Sequence, residues 1–201
     1  FEILPGFLAE LRRTGRRDFR AWSAGCGRGE EAWSLAILLD RVTRRSADDS
    51  WRVHIFATDM DHGALEAGKR AVYDRDSLTD TRLGVVDEYF APHGERFEIL
   101  PKLRSMVQFA AEDLMSESAL APRDSVFGGL DLILCRNVAI YVDRDSHLRL
   151  LRKLARSLAP GGLLVLGESE GLPAELRPAF HTVNGQARIF QGAARGEGRR
   201  R

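Results

Sequence analysis

An α/β fold, with a mostly parallel sheet covered by helices on both faces and ending in an antiparallel hairpin, is what this sequence predicts. Three observations predict it. Apolar runs of strand length alternate with stretches whose apolar residues recur at helical spacing. A glycine turn, Gly25-Cys26-Gly27-Arg28-Gly29, stands between the first such run and the helical stretch after it. Near the C-terminus, Asn184-Gly185 separates two short extended runs, a strong hairpin signal.

The elements follow in order. Residues 4–13 read as a helix with Phe7, Leu8 and Leu11 on one face. Residues 18–24 (DFRAWSA) read as the first strand, and 30–43 as a helix with Leu35, Ile37, Leu38, Leu39 and Val42 largely inward. Residues 51–58 form the second strand, closed by Asp59-Met60-Asp61, and 62–71 the next helix. Residues 73–103 are less regular: a short helix pair is expected over 78–90 and an extended segment over 96–101. Residues 106–110 and 132–135 are the third and fourth strands. A helix over 143–158 is expected to stop at Ala159-Pro160-Gly161-Gly162, because proline and glycine are enriched just past helix ends. The fifth strand is residues 163–167, and 180–183 with 187–191 make the hairpin. The expected division is an N-terminal helix in 1–17, one α/β domain in 18–191 that includes the less regular 73–103, and a disordered tail in 192–201.

A chain of 201 residues is long enough for one domain with a substantial core. Its hydrophobic fraction of 44% and charged fraction of 29% are those of an ordinary globular protein. A net charge of +1 offers no general argument for nucleic acid, so Arg12-Arg13, Arg16-Arg17 and Arg44-Arg45 read as solvated helix ends and loops. Cys26 and Cys135 stand in no CxxC or Cys/His spacing. Buried free thiols in a reducing, cytoplasmic compartment are therefore expected, and no metal site. No apolar run approaches the roughly 20 residues that span a bilayer, and no signal peptide is visible. A chain that opens at Phe1 rather than Met reads as a piece of something longer.

The chemistry concentrates where strands end, because open α/β sheets bind ligands beyond the carboxyl ends of their strands. The first such place is Ala24, Gly25 and Cys26, with the acids Glu30 and Glu31 just after. Glycines there serve a tight turn or a close approach of backbone to a ligand. GxxxxGK[ST] is absent, and two acids at a helix start would repel a phosphate. They favour the helix dipole, or Glu30 holds a cationic ligand. Asp59 stands where a carboxylate accepts from both ribose hydroxyls of a nucleoside; the alternative is an N-cap, a role open equally to Asp61. Asp113 can accept from an adenine amine while Leu114 packs on the ring, or Asp113 is a loop cap. The stretch 131–143, DLILCRNVAIYVD, stops being apolar at Arg136-Asn137. Asn137 has both a donor and an acceptor for a ligand or a loop carbonyl, and Tyr141 either lies near the ligand or packs in the core with a wet hydroxyl. The five histidines are scattered, and no GxSxG nucleophile motif is present.

The blocks WSAGCGRGEEAWSLA, IFATDMDHGALEAGKRAVY, LDLILCRNVAIYVD and LAPGGLLVLGESEGL occur in this order. Together they resemble the catalytic domain of the CheR-type chemotaxis receptor methyltransferases, over about residues 19–190. The resemblance implies a class I S-adenosylmethionine-dependent methyltransferase fold: a Rossmann-like seven-stranded sheet of order 3-2-1-4-5-7-6, with a small insert before strand four. It implies transfer of a methyl group from S-adenosylmethionine to glutamate side chains on methyl-accepting chemotaxis receptors, leaving S-adenosylhomocysteine. By matched position, Glu30 falls near the methionine moiety and sulfonium, Asp59 and Met60 at the nucleoside, and Asp113 where many members carry Asn. Arg136 and Asn137 line the cofactor site, and Tyr141, with Arg136, is catalytic. The expected partners are receptor cytoplasmic helices, which Arg12, Arg13, Arg16 and Arg17 are placed to touch. Nucleic acid and membrane insertion are not expected, and a monomer is.

Three departures stand beside the match. The family's N-terminal helical domain and its Thr-Phe-Phe-Arg-like segment lie outside this chain. Arg28 stands where small residues are common. The short stretch 89–103 suggests an enzyme independent of a receptor-tethered pentapeptide. A catalytically degenerate, cofactor-binding regulatory module is the alternative from another class. A nicotinamide dehydrogenase is disfavoured by the acids Glu30 and Glu31, which would face a pyrophosphate.

Overall fold

The structure is a computed structural model that describes residues 2–44, 51–116, 122, 129–138 and 143–194. In chain order the elements are α1 (Ile3–Arg13), β1 (Asp18–Ala24), α2 (Glu30–Arg44), β2 (Arg52–Asp59), α3 (His62–Arg70), β3 (Val72–Tyr73), α4 (Leu83–Tyr89), β4 (Phe90–His93), β5 (Arg96–Ile99), β6 (Val107–Ala111), β7 (Leu130–Cys135), α5 (Arg144–Ser157), β8 (Leu158–Leu166), β9 (Phe180–Asn184) and β10 (Ile189–Gly192). Seven strands form one sheet in the order β6-β2-β1-β7-β8-β10-β9. Numbered within that sheet alone, this is 3-2-1-4-5-7-6, the expected order. β1 pairs in parallel with β2 and β7, β2 with β6, and β7 with β8; β10 pairs antiparallel with β8 and β9. The small insert expected ahead of the fourth strand enters ahead of the third, β6, as a separate antiparallel sheet of order β3-β5-β4.

Each central strand is apolar along most of its length because both of its faces are covered. One core collects Phe19, Ala21, Ile55 and Ala57 with Trp33, Ala36 and Leu39 of α2. The other collects Trp22, Phe56, Ile133 and Leu164 with Leu150, Leu151 and Leu154 of α5. Each buried leucine, isoleucine or phenylalanine among them contributes about 1.5–3 kcal/mol by leaving water. Helix α1 adds Leu4 and Leu8 to the first core, and Phe7 meets the Phe19 ring edge-on at 6.3 Å.

Several expectations are corrected. Ala159-Pro160-Gly161-Gly162 does not separate helix from strand: α5 ends at Ser157 and β8 begins at once. The register with β7 jumps from Leu130↔Leu158 to Leu132↔Leu163, so those residues form an excursion inside the strand, with Gly161 at φ +76°. Asn184-Gly185 does lie between β9 and β10, but the connection runs through residues 185–188. Arg188, at φ +51°, takes the left-handed position, and the Asn184 side chain accepts from the Ala187 N–H at 2.9 Å. Strand β3 has no counterpart in the expected elements, and β4 falls in the stretch 89–103, where the resemblance places a small β-insert. The stretch expected to be a helix pair is a 3₁₀ turn at Arg75–Leu78 followed by α4.

The basic cluster at the end of α1 is not a uniform outward stripe. Arg16 donates to both carboxylate oxygens of buried Asp131, at 2.6 and 2.9 Å, and so holds the start of β7 against β1. Arg17 donates to the carbonyls of Arg12 and Arg16, and Arg13 pairs with Glu10.

Candidate functional site

Parallel strands all deliver their carboxyl ends to one edge of the sheet, and five such ends meet here. After β1 the chain enters the glycine turn, whose fold is set by its neighbour: the N–H groups of Gly25 and Cys26 both donate to the Thr58 carbonyl, at 2.8 and 2.9 Å. Thr58 is itself held, its hydroxyl accepting from the buried Trp22 indole at 2.8 Å. Gly25 has φ +76°, and a Cβ added there would lie 2.5 Å from Cγ2 of Val138 and 3.8 Å from Cδ1 of Leu114. Loops from the ends of β6 and β7 thus close on the turn at a point where only hydrogen fits.

Asp59 ends β2. Its Oδ2 accepts from the Gly27 N–H at 2.7 Å and its Oδ1 from the Asp61 N–H at 3.0 Å. The N-cap of α3 is Asp61, which accepts from the Ala64 N–H at 3.0 Å, so the capping alternative for Asp59 does not hold. A carboxylate has about four lone-pair sites, so two main-chain bonds leave half of the Asp59 acceptor capacity for a ligand. Met60, next in the chain, is 74% exposed.

After β6, Asp113 is exposed and its Oδ1 accepts from the Met115 N–H at 2.8 Å, while Leu114 is buried against the second core. The Glu112 N–H donates to the Asp59 carbonyl at 2.9 Å, which carries the β2–β6 pairing one residue beyond the strand end. After β7, Asn137 takes φ +60° and its Oδ1 lies 2.9 Å from where a Cβ on Gly167 would sit. Gly167 follows β8 and its N–H donates to the buried Glu170 carboxylate at 2.7 Å. Tyr141 lies outside the described residues.

The two acids of the glycine turn part company. Glu30 is exposed and lines a groove of about 320 Å³ between α2 and the insert, together with Trp33, Arg41, Tyr73 and Phe90. Glu31 turns to the strand ends, where it accepts from the Ser23 hydroxyl at 2.7 Å and lies 3.6 Å from the Arg136 guanidinium. Burial raises the pKa of Glu31, against the opposing pull of Ser23 and Arg136. No contact of Glu31 is apparent from the sequence pattern alone. The available signal was Ser23, a hydroxyl inside an otherwise apolar strand. Arg28 is exposed, with its carbonyl accepting from the Tyr73 hydroxyl at 2.9 Å. Cys26 is a buried thiol, pushed up to about 12 by burial and then by Asp59, so it is a protonated packing group at neutral pH. Burial raises Cys135 in the same way.

The described residues therefore join Ala24, Gly25, Cys26, Asp59, Asp113, Leu114, Arg136 and Asn137 along one sheet edge, with Glu31 and Glu170 beside them. Against known proteins, residues 2–189 match the family model described as CheR methyltransferase, SAM binding domain. This chain belongs to the CheR methyltransferase family. It is 33% identical over 183 residues to a chemotaxis protein methyltransferase of Escherichia coli, covering 89% of this chain and 60% of that protein. It is 33% identical over 179 residues to one of Listeria monocytogenes, covering 89% and 61%. It is also 31% identical over 173 residues to an uncharacterized 104.1 kDa protein of Rhodobacter capsulatus, covering 86% of this chain and 17% of that protein. The chain thus spans about 60% of the length of the chemotaxis methyltransferases it matches. Its fold is that of the class I methyltransferases, and the cofactor of the domain is S-adenosylmethionine. No helix among the described residues is long and apolar enough to cross a membrane.

Proposed function

We propose that this chain binds S-adenosylmethionine at the strand ends and methylates glutamate side chains on the cytoplasmic helices of methyl-accepting chemotaxis receptors. The observation that carries the reading is the Asp59 clasp. A carboxylate at the end of β2 grips the glycine turn after β1, with acids rather than a phosphate-binding lysine around it. Such a set suits a nucleoside bearing a cationic sulfonium and disfavours a pyrophosphate.

In this reading Asp59 accepts from the ribose hydroxyls through its remaining lone pairs, and Met60 covers the nucleoside from outside. Asp113 accepts from the adenine amine through Oδ2, and Leu114 packs on the ring. Ala24, Gly25 and Cys26 let the main chain come close to the ligand. The negative charge on the side of the sulfonium comes from Glu31 at the strand ends rather than from Glu30, which faces the groove beside the insert. Arg136 and Asn137 line the methionine end, with Arg136 held by Glu31.

The cofactor supplies an electrophilic methyl group on a good leaving group. What remains for the protein is alignment. A glutamate carboxylate titrates near about 4.3 when free, so it arrives ionised and needs no general base. Tyr141 orients that carboxylate through its hydroxyl, in line with the methyl group.

The test is incubation of the whole protein with labelled cofactor and receptor cytoplasmic fragments, followed by release of volatile methanol in mild base. Base-labile label on glutamate supports the reading. Tyr141→Phe is expected to lower turnover about tenfold, the worth of one hydrogen bond to a charged group. Tight cofactor binding with no ester on any receptor fragment would instead favour a regulatory module that keeps the cofactor and lacks transfer.

A further inference from the structure

The loop after β6 carries Asp113 and Leu114, and one lysine from across the molecule is placed to hold it. Lys153 projects from α5 with its side chain only 9% exposed. Its Nζ lies 3.7 Å from Oε1 of Glu112, a side chain that is 7% exposed. The same ammonium donates to the main-chain carbonyl of Leu114 at 3.4 Å and to that of Ser116 at 3.3 Å. A lysine ammonium has three donors and no acceptor. Among the described residues its partners, two carbonyls that accept hydrogen bonds and one carboxylate in ion-pair range, come from one short stretch, residues 112–116.

Packing alone gives no reason for a charge at this place. Leu150, Leu151 and Leu154, beside Lys153 on α5, are apolar and fully buried in the second core. A methionine would fill the same volume without the cost of taking an ammonium out of water. What an ammonium does, and a methionine cannot, is gather main-chain carbonyls that point inward from a loop. That loop is tied to the rest of the site as well. The Glu112 N–H donates to the Asp59 carbonyl at 2.9 Å, and Leu114 packs toward the glycine turn at Gly25.

We propose that Lys153 is a positioning residue for the base of the cofactor: it fixes the 112–116 loop so that Asp113 and Leu114 meet the adenine. The inference rests on the proposed roles of Asp113 and Leu114. It adds a group on a helix remote from the strand ends that acts only through them.

The test compares two ligands, S-adenosylhomocysteine and S-inosylhomocysteine, by calorimetry. In the second, the exocyclic amine is replaced by an oxygen that a carboxylate repels. Lys153→Met alone leaves the Glu112 carboxylate buried without that cation, so the decisive variant is Lys153→Met/Glu112→Gln, which removes both charges together. Thermal melting of the same samples reports folding. The parent is expected to prefer the adenosyl ligand by about tenfold or more, the worth of one charge-assisted hydrogen bond. The double variant is expected to melt close to the parent while its preference falls to within about threefold. A double variant that keeps the full preference overturns the inference and leaves the Asp113 reading standing. A double variant that binds both ligands more weakly by the same factor also overturns it, because Lys153 would then support the fold rather than the base. A parent with no preference removes the Asp113 reading, and the inference falls with it.

Discussion

Replacing Gly29 by alanine adds one methyl group where there is no room for it. Gly29 has φ +84°, in the left-handed region, where a Cβ costs about 1–2 kcal/mol. That Cβ would also lie 2.8 Å from Cζ and 2.9 Å from Cε1 of Phe109, and 3.2 Å from Cα of Gly68. The Phe109 ring cannot simply turn aside. It rests against Trp33 at 5.7 Å between centroids, and the Trp33 indole is pinned to the Gly68 carbonyl at 3.0 Å. Forcing an extra methyl into such packing costs about 1–3 kcal/mol more. The sum, about 2–5 kcal/mol, is a large share of the roughly 5–15 kcal/mol that hold a domain folded. Urea unfolding followed by tryptophan fluorescence measures it as a lower midpoint at unchanged slope. The two contributions separate in a cycle with Phe109→Leu. Removing the ring edge should return the steric part to Gly29→Ala and leave the backbone part in place. A Gly29→Ala protein within about 0.5 kcal/mol of the parent would refute the reasoning, as would strict additivity in the cycle.

Two further expectations concern the scaffold. Asp143 caps α5, accepting from the N–H groups of Asp145 and Ser146 and from the Ser146 hydroxyl, and these bonds, Ser146 foremost, hold its pKa at about 2, below the ordinary 3.8. A carboxyl depressed by folding stabilises above its unfolded pKa and loses that contribution as pH falls through the folded one. Asp143→Asn, which keeps a capping acceptor, should therefore flatten the fall of Tm between pH 3.8 and about 2, and an unchanged acid slope would contradict this. Arg16→Ala leaves Asp131, 1% exposed, without its cation, while the Arg20 N–H at 3.0 Å remains. Because Arg16 is itself 35% exposed, the loss should sit below the range for a broken buried pair, at about 2–3 kcal/mol. A urea midpoint equal to that of the parent would show the pair to be idle.

The centre of the sheet was legible because its strands are buried on both faces: 132–135 and 163–167 are apolar runs of strand length bounded by turn signals, and 18–24 adds Phe19, Ala21, Trp22 and Ala24. The glycine turn and Asp59 were legible for a related reason, since polar or glycine residues that interrupt an apolar strand mark its end. What the pattern left out lies where local signals are weak. β3 has two residues and β4 carries Pro92, so neither shows a period. Ala159-Pro160-Gly161-Gly162 bears every mark of a helix stop, and α5 does end at Ser157, but β8 takes those residues in as an excursion against β7 rather than starting after them. Of the adjacent acids Glu30 and Glu31, only the geometry of α2 decides which turns to Arg136. Lys153 reads as one more surface charge on an amphipathic helix, because the carbonyls it meets lie 37 and 39 residues away in the chain.

The most direct test of the cofactor seat is calorimetric titration of the protein with S-adenosylhomocysteine, with Asp59→Ala beside it. The account predicts micromolar binding by the parent and a loss of about tenfold or more in the variant, the share of a charged group that accepts two hydroxyls. The variant also takes the acceptor from the Gly27 and Asp61 N–H groups, so its melting temperature is expected to fall somewhat, with the Asp61 cap of α3 retained. Equal affinity of parent and Asp59→Ala would contradict the assignment of the β2 carboxylate as the group that reads the nucleoside.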